Sequence, residues 1–173
     1  MRAALAGLLV LAGCAAAPTP APVPSTYPVP PQTVRPDERV PSAPTTSDGD
    51  TAFTLLGVTT GLDSVFGSHA EWPAKGAFVR IRISVVNTGR GSILLDARRQ
   101  VLVDDQGGTH QVDEQAMTIR RQPDEIDLGS NVRMEFDVYY DLPRDRTPVT
   151  LRVWGGPTLT DLKDDQSTDI PLR

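Results

Sequence analysis

The strongest constraint on the fold is a strict alternation of apolar and polar side chains along residues 78–85. Successive residues of an extended chain point to opposite faces. One face here is β-branched and the other polar: Val79, Ile81, Ile83 and Val85 against Arg80, Arg82 and Ser84. This pattern predicts a half-buried antiparallel strand. The strand is expected to stop at residues 87–91, where Asn and Gly favour a turn.

Similar segments recur from residue 51 to the end of the chain, and none shows a convincing helical period. Residues 132–140 and 149–154 alternate again, and residues 100–104 and 109–112 are expected to form a hairpin. Shorter candidates lie at 52–58, 92–96 and 168–172. Residues 61–76 read as a loop, and residues 113–127 fit no pattern. About seven short strands predict an all-β fold, an antiparallel β-sandwich over residues 51–173.

The segment before this domain is rich in proline, with ten of the 16 prolines between residues 14 and 50. Proline fixes φ and lacks an amide proton, so neither helix nor sheet is expected there. The sequence predicts a disordered linker over residues 14–50, extended in its proline-rich part. A stalk is the simpler role, and a ligand for a proline-reading domain is the alternative.

Residues 1–13 resemble a signal peptide, because Arg2 is followed by an apolar run too short to span a bilayer. The run ends in Leu11-Ala12-Gly13-Cys14, which resembles a bacterial lipobox. The resemblance implies cleavage between Gly13 and Cys14 and lipidation of Cys14. We therefore expect a lipoprotein anchored to the cell membrane on its extracytoplasmic face. An ordinary secretory signal is the alternative.

Net charge and cysteine content narrow the partners further. The chain carries a formal charge of −5 and a single cysteine. An acidic protein has no electrostatic footprint for nucleic acid, so no nucleic-acid partner is expected. Membrane contact is expected through the lipid on Cys14, and no intramolecular disulfide can form.

Several motifs resemble the bacterial domain of unknown function family 4352. They are Pro73-Ala74-Lys75-Gly76-Ala77-Phe78-Val79, Val86-Asn87-Thr88-Gly89, Leu102-Val103-Asp104-Asp105-Gln106-Gly107, Phe136-Asp137-Val138 with Leu142-Pro143, and Leu151-Arg152-Val153. The resemblance implies an immunoglobulin-like β-sandwich of the kind often found on secreted proteins and lipoproteins of Gram-positive bacteria. The family has no established enzyme activity and brings no functional residues to this chain.

No pattern points to catalysis or to a cofactor. The two histidines, His69 and His110, lie in separate positions, Met134 falls on an apparent core face, and no copper site is expected. Asp104, Asp105, Asp164 and Asp165 match no calcium-loop spacing. There is no Gly-x-Ser-x-Gly motif. We expect no enzyme activity, no cofactor and no metal.

Trp72, in the expected loop, is the one candidate for a partner-binding residue, with packing against the end of the sandwich as the alternative. Trp154 is expected in the core. Seven arginines are expected on a solvated face rather than in a patch for an anionic polymer: Arg80, Arg82, Arg98, Arg99, Arg120, Arg121 and Arg133.

Two hypotheses of function follow. The first is a non-enzymatic surface lipoprotein whose sandwich binds an unidentified protein or cell-wall component, or serves as an accessory domain. The second is an envelope carrier or chaperone for a small ligand or metal ion. A deep apolar pocket between the sheets would favour the carrier.

Overall fold

The computed structural model describes residues 33–158 and 161–173. The expected signal peptide, its cleavage site and Cys14 lie outside these residues. The strands are β1 (Thr46–Asp48), β2 (Thr51–Phe66), β3 (Glu71–Asn87), β4 (Ile93–Asp96), β5 (Val101–Asp104), β6 (Thr109–His110), β7 (Glu125–Leu128), β8 (Arg133–Leu142), β9 (Pro148–Val153) and β10 (Thr168–Pro171). One helix, α1 (Glu114–Ile119), lies between β6 and β7.

The strands form two antiparallel four-stranded sheets, ordered β1-β2-β3-β8 and β10-β9-β5-β6, with β4 and β7 as a separate pair. The predicted β-sandwich is therefore confirmed, as is the hairpin of β5 and β6. The described residues hold ten strands rather than about seven, because β1 and β7 are too short for a clear alternation. α1 is also absent from the prediction, since six residues are fewer than two helical turns.

Apolar side chains from both sheets fill the space between them. The expected inner face of β3 is confirmed, because Ile81, Ile83 and Val85 are fully buried. The inner face of β8 contributes Phe136, Val138 and Tyr140, and the Tyr140 hydroxyl donates to the Gln100 carbonyl oxygen at 3.3 Å. The expected inner face of β8 is not buried at the start of the strand. Met134, expected in the core, is 36% exposed.

β2 and β3 form a long hairpin in place of the expected loop at residues 61–76. Pairing continues to Phe66 and Glu71, past an irregularity between the pairs Leu62–Phe78 and Ser64–Pro73. The Asp141 side chain of β8 holds this irregularity by accepting hydrogen bonds from the backbone amides of Lys75 (2.6 Å) and Gly76 (2.9 Å). The additional residues of β3 between Pro73 and Phe78 interrupt the alternation of apolar and polar side chains. This interruption is why the sequence pattern indicated a loop at residues 61–76.

Residues 33–40, which we call the strap, cross the outer face of the first sheet. Arg39 and Val58 of β2 exchange backbone hydrogen bonds of 2.9 and 2.8 Å, and Arg35 reaches Asp137 of β8. The strap and β1 both belong to the segment expected as a disordered linker, so ordered structure begins before residue 51. The strap can contain Pro36, which has no amide proton, because it pairs with β2 only at Arg39.

Segments beside α1 cover the free edge of β8. The Asp113 amide donates to the Tyr139 carbonyl oxygen at 2.8 Å, and the Asp137 amide donates to Gln122 Oε1 at 2.7 Å. These bonds satisfy backbone groups that an edge strand would otherwise offer to another chain. Among the described residues, no helix has both the length and the apolar character needed to cross a membrane.

Candidate functional site

The polar face of β3 carries a buried cluster of charges centred on Glu38 of the strap, whose side chain is fully buried. Its carboxylate accepts hydrogen bonds from Arg82 Nε at 3.0 Å and Nη2 at 2.8 Å, and from the Arg35 amide at 2.9 Å. Arg80 Nη2 lies 3.5 Å from the same carboxylate. Gly57 leaves room for it, since a Cβ there would collide with the Glu38 side chain.

Burial by itself raises the pKa of Glu38, but the hydrogen bonds from Arg82 and Arg35 outweigh it and leave the pKa below its usual value. Glu38 is therefore ionised at neutral pH. The expected solvated face of arginines is wrong for Arg80 and Arg82, whose side chains are only 12% and 8% exposed. Among the described residues, the hydrogen bonds and ion pairs of Glu38 join it to the strap and to β3, so they stabilise the fold.

The end of the β2–β3 hairpin is the most exposed aromatic surface among the described residues. β8 pairs with β3 only as far as Ala77, so residues 71–76 extend past it. Phe66 is 59% exposed and Trp72 is 37% exposed. Trp72 pairs with Val65, and Phe66 pairs with Glu71. Because paired residues share a face, Phe66 and Trp72 point to opposite faces of the hairpin.

The C-terminal end of α1 supports this hairpin end. Arg120 Nη1 donates to the Phe66 carbonyl oxygen at 2.6 Å, and Gly67 lies so close to Ile119 that a Cβ would collide with it. A shallow pocket of about 160 Å³ opens beside Phe66, with Tyr139 and Arg80 among its lining residues. Burial, and then the Asp137 carboxylate, raise the pKa of the Tyr139 phenol, so it remains neutral. The site offers aromatic surface and hydrogen-bond donors.

Trp72 therefore lies in a strand and not in the expected loop, although its exposure leaves it a candidate for binding. The sequence pattern did not point to Phe66, because it indicated a loop where β2 continues. Trp154, expected in the core, is half-buried at the end of β9. The Arg99 guanidinium carbon lies 5.1 Å from the centroid of its ring. That contact occupies one side of the ring, which makes Trp154 a poor candidate for partner binding.

His110 and Asp104 form a polar pair at the β5–β6 turn. The described residues contain no group of three or more potential metal ligands. His110 Nε2 lies 2.9 Å from the Asp104 carboxylate, which also accepts the amides of Gln106 and Gly108. The hydrogen bond between His110 and Asp104 is the largest cause that lowers the pKa of Asp104. Burial acts in the opposite direction, but the two amide bonds add to the lowering, and the pKa falls from 3.8 to about 2. These bonds hold the β5–β6 turn.

A family model, "Domain of unknown function (DUF4352)", matches residues 43–162 of the chain. The chain belongs to the DUF4352 family. The predicted resemblance is thus confirmed, and the match includes both the hairpin end and the irregularity at Gly76. No curated protein matches the sequence.

Solved structures share the fold of this DUF4352 protein at low sequence identity. The yjhA protein from Bacillus subtilis is 17% identical, with a TM-score of 0.54 over 73% of this chain and 94% of its own. A conserved hypothetical protein from Bacillus anthracis is 12% identical, with a TM-score of 0.52 over 79% and 98%. MPT63, a secreted protein from Mycobacterium tuberculosis, is 16% identical, with a TM-score of 0.45 over 65% and 83%. At these identities the likeness to the two Bacillus structures shows the fold alone.

Proposed function

We propose that this DUF4352 protein is a non-enzymatic binding module, displayed on the extracytoplasmic face of the cell membrane by a lipid on Cys14. Its partner is a protein or a cell-envelope component. The observation that carries the proposal is the pair of exposed aromatic side chains, Phe66 and Trp72, at the hairpin end. Aromatic residues are enriched at interfaces and often dominate binding energy.

The rest of the molecule supports a rigid presentation of this surface. At the C-terminal end of α1, Arg120 donates a hydrogen bond to the Phe66 carbonyl oxygen and so supports the hairpin end. Large side chains such as Tyr140 and Leu151 fill the space between the sheets. A preformed surface loses little conformational entropy on binding, which favours affinity.

Site-specific photo-crosslinking in intact cells tests the binding surface. A partner that encloses the hairpin end contacts both of its faces. A benzophenone amino acid at position 66 should therefore form a discrete adduct, which the additional change Trp72→Ser should weaken. The matched control places the same group at Val132, which is 46% exposed and immediately precedes β8. No adduct at position 66, or equal adducts at both positions, would contradict the proposal. Stabilisation by a small ligand without any adduct would favour a carrier.

The anchor is tested separately. The change Cys14→Ser should release the protein into the medium or leave it uncleaved, as measured by fractionation and by the mass of the N-terminal peptide. Membrane-bound, normally processed Cys14→Ser protein would contradict lipidation without affecting the hairpin proposal.

A further inference from the structure

A second concave site lies between the strap and the connection from β8 to β9. Its volume is about 360 Å³, within the range of small-molecule pockets. The floor is apolar, with Ala77 and Val79 of β3 and Leu142 of β8. Arg39, Arg144 and Arg146 lie around this floor. The site differs from the hairpin pocket, which none of these three arginines lines.

The charge of this cleft is opposite to that of the whole chain. None of its lining residues is acidic, although the net charge is −5. The ion pairs of Arg144 and Arg146 are weak, because their carboxylate partners are mostly exposed to solvent. Arg144 pairs with Asp63 at 2.6 Å while both side chains are more than half exposed, and Arg146 Nε is 3.8 Å from an Asp145 that is 77% exposed.

Two of the arginines retain unused donors. Arg39 is anchored through its backbone to Val58, and its side chain pairs with no carboxylate among the described residues. Arg146 Nε is buried and has no hydrogen-bond partner among the described residues. The Arg146 side chain is 28% exposed and lines the cleft, so its guanidinium can donate to an oxyanion bound there.

We propose that this cleft binds an oxyanion, the phosphate or carboxylate group of a small ligand. Arginine suits both groups, because its planar fork donates two parallel hydrogen bonds to a pair of oxygens. Thr60 and Thr147 add hydroxyl groups at the rim, and the apolar floor accommodates the body of the ligand. The strap completes the site, since it contributes Arg39.

Calorimetric titration of the full chain with glycerol 1-phosphate and with glucuronate tests this inference. Saturable one-to-one binding of at least one of them is expected, and it should weaken as salt is raised. The ligand that binds identifies the group recognised. Arg39→Gln and Arg146→Gln should each weaken binding by about tenfold or more, because each removes a charge-assisted hydrogen bond.

Arg90→Gln is the matched control, because Arg90 is exposed and lies outside the cleft. It changes the net charge equally and should leave the dissociation constant unchanged. The exposed side chain of Arg39 makes its loss compatible with folding, which an unchanged melting temperature would verify. No saturable heat with either ligand, or an equal loss of affinity in Arg90→Gln, would overturn the inference.

Discussion

Glu38 shows how one residue decides whether a polar strand face is solvated or buried. Its carboxylate contacts Arg82, Arg80 and the Arg35 amide. Arg80 and Arg82 lie far from Glu38 in the sequence, so no local pattern predicts these contacts. A buried ion pair need not exceed an apolar pair in stability, but removing one partner leaves the other charge uncompensated. Glu38 is therefore the residue whose loss should be felt most in this cluster.

The change Glu38→Gln should lower the free energy of unfolding by about 2–4 kcal/mol at neutral pH, since Arg82 stays buried without its counter-charge. Urea denaturation would measure the difference. Asp63→Asn is the control, because Asp63 and Arg144 form an ion pair with side chains 80% and 64% exposed. That change should cost about 0.5 kcal/mol or less. Similar losses in both variants would refute a special role for Glu38.

The same comparison has a pH dependence with a defined sign. The folded-state pKa of Glu38 lies below its usual value, so its contribution is complete above the unfolded pKa of about 4.3. That contribution is lost as the pH falls through the lower folded value. The stability gap between the wild type and Glu38→Gln should narrow below about pH 4. A gap that stays constant down to pH 2 would exclude the ionised carboxylate as its cause.

At the scale of elements, the irregularity in β3 is fixed by a close approach of two backbones. A Cβ at Gly76 would overlap the Leu142 carbonyl oxygen at the end of β8. The neighbouring Asp141 carboxylate binds the amides of Lys75 and Gly76 on the same side. The resulting shift in pairing sets the direction in which the hairpin end leaves the sheet.

Gly76→Ala should therefore destabilise the protein by about 2–4 kcal/mol, because backbone atoms must move to admit the methyl group. Thermal unfolding by circular dichroism would measure the loss. Gly91→Ala is the matched control, because a Cβ at Gly91 would meet nothing within 4 Å. A Gly76→Ala variant as stable as Gly91→Ala would show that the two strands separate easily at this point.

Sequence patterns predicted the elements whose alternation is unbroken and failed where another segment intervenes. Residues 78–85 lie in a strand with the expected inner face. The opposite face is also buried, because the strap covers it. The sequence pattern does not reveal this, since Glu38 lies 44 residues from Arg82. The hairpin end was missed because the irregularity before Phe78 interrupts the period of two. Phe66 therefore gave no signal, whereas Trp72 was found by residue type alone.

On the scale of the whole molecule, the strap and the residues that follow it connect the first sheet to the segment after β10. It contacts β8 through Arg35, β3 through Glu38 and β2 through Arg39. Farther along, the Ser42 amide and hydroxyl donate to the Arg173 carbonyl oxygen at 3.2 and 3.0 Å. Residues 33–42 are thus part of the folded unit.

Truncation should locate this boundary. A chain that starts at residue 33 should be as stable as the full sequence, whereas one that starts at residue 41 should lose about 2 kcal/mol or more. The longer truncation removes the two backbone bonds to Val58 and the ion pairs of Glu38, each contributing about 1 kcal/mol net. Urea denaturation of both chains would measure this. Equal stability would mean that the strap contributes nothing.

The direction in which the strap crosses the sheet has a mechanical consequence. A pulling force that reaches the domain from residues before Thr33 acts first on the Arg35–Asp137 contact, then on Glu38 and Arg82, and only later on β1. The load is shared among three strands before any strand can be peeled from an edge. If the domain is anchored through Cys14 and bound by a partner, as we propose, the strap protects the first sheet from being pulled apart.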